Sequence, residues 1–235
     1  MHHLPQDKLY ILTEAYTSKI MVHLLSEGNS IINQFIAELR NVEVQKDRMR
    51  FRRNLERIGE IAALEISKKL PYHMVEVVTP LGIANISLMS EQPIVGTILR
   101  AGLPLHQGIL NYFDHADNAF ISAYRKHHKD GSFDIHLDYI SSPPMVNRIL
   151  ILADPMLATG SSMVTTYRAI IEKGKPKHTH IVAAVASTQG VEYVKKHMPA
   201  EVDIWVGVVD DELTAQAYIV PGLGDAGDLA YGEKE

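Results

Sequence analysis

The chain has 235 residues, 46% hydrophobic and 22% charged, with a net charge of −5. Such a length suits one large domain or a core with a small appendage, and the composition is that of a globular protein with a sizeable core. Cysteine is absent, which removes disulfides, zinc–thiolate sites and cysteine nucleophiles. The acidic balance argues against a broad nucleic-acid footprint, and no apolar run approaches the ~20 residues of a membrane span.

The N-terminal stretch "MHHLPQDKLYILTEAYTSKI" lacks the basic region followed by an apolar one that marks a signal peptide. A cytoplasmic protein is therefore expected. After a short extended arm, the first third reads as helical. "NSIINQFIAELRN" places Ile31, Ile32, Phe35, Ile36 and Leu39 at helical spacing, with Asn29 or Ser30 as N-cap. A longer helix follows Asp47, with Leu55, Ile58, Ala62 and Ile66 as its apolar stripe and Pro71 beyond its end. Its arginines, Arg48, Arg50, Arg52, Arg53 and Arg57, read as a solvated face or a subunit contact rather than a phosphate site. From residue 75 the texture turns to β, and "MVEVVTPLGIANISL" reads as a hairpin about Pro80-Leu81-Gly82.

Next come a strand "PIVGTIL", a helix "LPLHQGILNYF" and a strand "AFISAY", then a polar interval over 125–137 expected to form a mobile β-hairpin excursion. A strand "RILILA", a helix from about Ser161 to Lys173, a strand "HIVAAVA", a helix "GVEYVKKH" and a strand "DIWVGVV" complete the series. Near-continuously apolar strands alternating with helices predict an α/β fold, a parallel sheet flanked by helices on both faces. One domain is expected over 1–235: an N-terminal arm and helices over 1–74, the α/β core over 75–209, and a loop and tail over 210–235. The tail "AYIVPGLGDAGDLAYGEKE" carries too many glycines for a helix and is expected to form a specific loop.

In an open α/β sheet, ligands bind beyond the carboxyl ends of the strands. Arg100-Ala101-Gly102, the loop opening with Asp154-Pro155, and Asp210-Asp211-Glu212 all fall at such ends. In the second, a helix starting near Ser161 leaves its first N–H groups without partners and favours an anion. Gly160 would let the backbone approach a phosphate, and Thr159, Ser161 and Ser162 add hydroxyl donors. Asp154 would repel a phosphate, so it suits sugar hydroxyls or the hydration shell of a magnesium ion. A phosphate-plus-polyol ligand fits both halves; a plain helix cap, with Asp154 closing a turn, is the competing reading. No Lys follows the glycine, so this is not a Walker loop. The tail's G-L-G-D-A-G matches the dinucleotide expression by letter and is rejected because no helix is expected after it. His127, His128 and His136 read as solvent-exposed histidines rather than a metal site.

"ILADPMLATGSS" resembles the ribosyl-phosphate signature of the type I phosphoribosyltransferases. Together with "TILRAGLPLHQGIL" and "AYIVPGLGDAGD" it resembles the uracil phosphoribosyltransferases, over about residues 77–232. The resemblance implies transfer of the phosphoribosyl group from 5-phospho-α-D-ribose 1-diphosphate to uracil N1, giving UMP and diphosphate in pyrimidine salvage, with magnesium carried by the diphosphate substrate. By motif, it assigns the ribose and 5′-phosphate to Asp154, Pro155, Met156, Leu157, Ala158, Thr159, Gly160, Ser161 and Ser162. It puts Arg100 and Arg125 on the diphosphate, and gives the uracil edge to Ile219, Gly224, Asp225 and Ala226. Asp225 also falls near the donor, which makes Arg100 and Asp225 the catalytic residues. The resemblance extends, for some members, to activation by GTP, and the apolar, arginine-rich N-terminal helices lead to the expectation of a homo-oligomer, a dimer or larger. The chain differs from the family pattern at Ser161, where a second glycine is usual, at Lys126-His127-His128-Lys129, and at Leu229. A phosphoribosyltransferase for another base, and a non-catalytic nucleotide sensor or RNA-binding regulator on the same fold, are the competing readings.

Overall fold

The computed structural model describes residues 20–127 and 133–233, with the main chain alone at 124–127, 133–136 and 173. In chain order come strand β1 (Met21–Leu24), helices α1 (Ile32–Arg40) and α2 (Arg48–Ser67), and a hairpin of β2 (Tyr72–Thr79) and β3 (Gly82–Met89). Strand β4 (Ile94–Leu99), helix α3 (Leu103–Leu110) and strands β5 (Asp117–His127), β6 (Phe133–Ser141), β7 (Ile149–Ala153) and β8 (Met156–Leu157) follow. The rest is α4 (Ser161–Ile170), β9 (His178–Ser187), α5 (Thr188–His197), β10 (Val202–Asp210), β11 (Glu212–Leu213), β12 (Ile219–Val220) and α6 (Ala226–Tyr231).

The main sheet runs β1-β10-β9-β7-β4-β5-β6, with β8 added beside β9. All its pairings are parallel except the edge pair β5–β6. Strand β7 shows why both faces are covered: all five of its residues are buried, and successive side chains point to opposite faces. Ile149, Ile151 and Ala153 enter the core shared with α1, α2 and α3, whereas Leu150 and Leu152 enter the core shared with α4 and α5. Each such fully buried aliphatic side chain contributes about 1.5–3 kcal/mol. No helix among the described residues is long and apolar enough to cross a membrane.

Two local expectations are corrected, the cap of α1 and the absence of a helix from the tail. Neither Asn29 nor Ser30 caps α1: the cap position is Ile31, already helical at φ −61° and ψ −22°, with no side-chain bond, whereas a side-chain cap needs an extended residue. At the end of the expected extended arm, residues 21–24 form strand β1, held parallel against β10 with His23 opposite Trp205. The hairpin expected over 125–137 is present, since β5 and β6 continue as an antiparallel ribbon to the pair His127–Phe133; His128 and Lys129 lie outside the described residues. A helix, α6, does follow the G-L-G-D-A-G run. Its turn glycines Gly222 and Gly224, at φ 55° and 95°, precede the helix, and Ala226 and Ala230 anchor it in the core. The dinucleotide reading still fails, because α6 follows a two-residue antiparallel bridge and not the first strand of a βαβ unit.

Candidate active site

The carboxyl ends of β4 and β7 and the turn before α6 enclose a cleft of about 620 Å³, whose walls include Arg100, Asp154, Ser162, Tyr218, Gly224 and Asp225. Three segments far apart in the chain thus meet where parallel-sheet geometry places ligands.

The loop after β7 is held on several sides. Asp154 N–H donates to the Val182 carbonyl at 3.0 Å, and the Pro155 carbonyl accepts from the amides of Ala184 and Val185. Ser187 Oγ donates to the Ala158 carbonyl at 2.6 Å while accepting from Gly190 N–H. Asp154, Met156, Ala158 and Ser162 line the cleft; Pro155 and Leu157 are buried beneath it. Thr159, Gly160 and Ser161 form the turn into α4, with the Thr159 and Ser161 hydroxyls 2.8 Å apart. Gly160 has φ 76°, and a Cβ there would lie 2.7 Å from the Gly190 carbonyl. Both features demand glycine. Ser161 is simply the first residue of α4, so the left-handed position falls on Gly160 alone and does not require a second glycine. Gly160 supplies no cap, and the first amide, Ser161 N–H, has only a long bond of 3.4 Å to Thr159 Oγ1, so this end of the helix can take an anion.

Arg100 leaves β4 through a cis Leu99–Arg100 peptide. Its Nη2 donates to the Gly232 carbonyl at 3.1 Å and lies 3.6 Å from Asp228 Oδ1, while Nε, though buried, has no bond. Arg125 stands on β5 by its main chain, two residues after the cleft residue Ala123; its side chain lies outside the described residues. Asp225 Oδ1 accepts from Gly227 N–H at 2.8 Å and Asp228 N–H at 3.0 Å, which makes it the N-cap of α6 and fixes its carboxylate at the cleft wall. Gly224 and Ala226 flank it there. Ile219 differs: its side chain is in the core, 4% exposed, so only its main chain can face a ligand.

The third strand end serves structure. Asp210 is buried, pairing Oδ1 with Arg40 at 2.8 Å and accepting Gly222 N–H on Oδ2, so it ties α1 to the turn before α6. Sequence reasoning missed Gln216, Ala217 and Tyr218, which also line the cleft. Ala217 sits at φ 63°, and the only hint was their position directly before "IVPG".

The uracil phosphoribosyltransferase family profile matches residues 26–233, nearly the whole chain. The chain belongs to the uracil phosphoribosyltransferase family. A uracil phosphoribosyltransferase from Porphyromonas gingivalis is 53% identical over 214 residues, covering 91% of this chain and 99% of that protein. Another from Pyrococcus furiosus is 35% identical over 210 residues, covering 88% of each. The solved structure of the AQ2163 protein from Aquifex aeolicus has a TM-score of 0.80 at 30% identity, covering 90% of this chain and 98% of that one. Family membership and the α/β architecture agree.

Proposed function

We propose that the cleft transfers the 5-phosphoribosyl group of 5-phospho-α-D-ribose 1-diphosphate to uracil, releasing UMP and diphosphate. The observation that carries this reading is the meeting of an open helix N-terminus, two carboxylates and a glycine-rich turn in one cleft. The amides that open α4, with the hydroxyls of Thr159, Ser161 and Ser162, bind the 5′-phosphate, and Asp154 takes the ribose hydroxyls. Leaving-group departure builds positive charge on the ribose, as in glycoside chemistry, and negative charge on the diphosphate. Arg100 and Arg125 stabilise that anion; Gly232 and Asp228 engage Arg100 through Nη2 alone, which leaves Nη1 for the anion. A single preorganised donor of this kind is worth about 3 kcal/mol.

Magnesium fits the donor set. Asp154 and Asp225 supply hard oxygen ligands at the cleft wall, and magnesium is usually held by one or two carboxylates together with substrate phosphates. When bound, it neutralises charge on the diphosphate. Asp225 has committed Oδ1 to α6 and keeps its second oxygen for that role. Uracil presents two carbonyls and an N3–H, which main-chain groups from Ala217 to Ala226 read at close range. Cytosine would leave those buried groups unpaired.

A screen of uracil, cytosine, hypoxanthine and xanthine as acceptors, followed by diphosphate release, tests the reading. Uracil alone should turn over. Turnover of a purine and not of uracil would overturn the assignment, as would tight, salt-dependent RNA binding without UMP formation. Adding GTP to the same assay tests the activator role.

The proposal includes a homo-oligomer, on different grounds from the arginines. Those of α2 are engaged within the chain: Arg50 with Glu38, Arg53 with Glu56 and Glu60, and Arg52 with the Ala230 carbonyl. The hairpin β2–β3 supports self-association better. It forms its own two-stranded sheet and exposes Met74, Val78 and Ile83 on one face, an apolar surface of the kind that marks a protein contact.

A further inference from the structure

We propose that the amino-terminal edge of the sheet, opposite the cleft, holds a zinc ion on His178, His180 and Asp203. The register of two neighbouring strands builds the cluster. His178 and His180 stand two apart on β9 and so share a face, and β10 sets Asp203 directly beside His180. Their ligand atoms all lie within 4.8 Å of one another. His178 Nε2 is 3.1 Å from Asp203 Oδ2, and His180 Nδ1 is 3.9 Å from the same oxygen. Tetrahedral zinc with imidazole and carboxylate ligands needs neighbouring donor atoms roughly 3.3 Å apart, so an ion would draw the most distant of these atoms inward by up to about 1.5 Å.

Two further observations point to a cation. Trp205 Nε1–H, a donor only, bonds His180 Nδ1 at 3.1 Å. His180 Nδ1 therefore carries no proton, and an ion bound there would take its lone pair from the indole. Beside them His23 on β1 stacks on Trp205, with ring centroids 3.9 Å apart. Its Nε2 is buried without a hydrogen bond, 3.9 Å from Asp203 Oδ1. That nitrogen is the candidate fourth ligand, and with it the ion would join β1 to β9 and β10. Lys69, close enough to act on His23, opposes the ion; Glu201, on the His178 side, favours it. Imidazole with carboxylate suits zinc over the harder magnesium, so this site is chemically distinct from the cleft.

Trp205 is the chain's single tryptophan, so its emission reports on this cluster alone and ignores histidines elsewhere. The untagged, chelator-treated chain should be titrated with Zn²⁺, and in parallel with Co²⁺, which quenches nearby indole. A saturable change complete at one equivalent is expected. His178→Ala and Asp203→Asn should each move the midpoint roughly tenfold or more, with UMP formation unchanged and metal-free unfolding close to that of the parent. No change in Trp205 emission at stoichiometric metal would overturn the proposal. An identical response in both variants would do the same.

Discussion

The Asp225 carboxylate does two things that substitution can separate. It caps α6 through Oδ1, and its charge faces the cleft. Asparagine caps a helix about as well as aspartate does. Asp225→Asn should therefore unfold near the parent temperature while UMP formation falls about a hundredfold; full turnover with normal stability would remove the charge from the chemistry. Gly160→Ala probes the phosphate turn. A left-handed alanine costs about 1–2 kcal/mol, and its Cβ would press on the Gly190 carbonyl. Thermal unfolding should fall, and the KM for the diphosphate donor should rise more than that for uracil. The demands on Gly160 were legible in the sequence because they are local. The partners of Arg100 and Asp210 were not, for they lie 132 and 170 residues away and only the topology brings them together.

Between elements, the contact of α1 with α2 has a titratable centre. Glu38 accepts from Arg50 twice, at 2.7 Å each, from Asn54 at 2.7 Å and from Gln34 at 3.0 Å. The Arg50 bond foremost, then Gln34 and Asn54, hold its carboxyl at about 2 against an ordinary 4.5. A depressed carboxylate contributes stability that is complete above the unfolded value and lost as pH falls through the folded one. Resistance to urea should thus weaken as pH falls from 4.5 to about 2, and Glu38→Gln should flatten that part of the profile. A parent whose acid dependence matched the variant's would show the network to be without weight. The long periodic elements, α2 and β7 among them, were legible because pattern and burial agree. Four-residue β1 and six-residue α6 were not. The first depends on β10 for its bonds, and the second on one capping carboxylate and two buried alanines, none of which leaves a period to read.

On the scale of the whole molecule, the hairpin strands β2 and β3 pair only with each other, and an isolated two-stranded sheet is marginal in water. Val78→Glu should shift the species measured by light scattering after size exclusion toward the monomer, with the fold retained; an unchanged mass would place the subunit contact elsewhere. The close fit of α5 under the phosphate turn carries further. A Cβ on Gly190 would stand 2.4 Å from the carbonyls of both Leu157 and Ala158, just as one on Gly160 would meet Gly190. Neither segment can lift without the other, so amide hydrogen exchange over 158–162 should proceed at the same opening free energy as the first turn of α5. Donor binding should then slow exchange in both segments together, which makes α5 a remote gauge of an occupied phosphate turn.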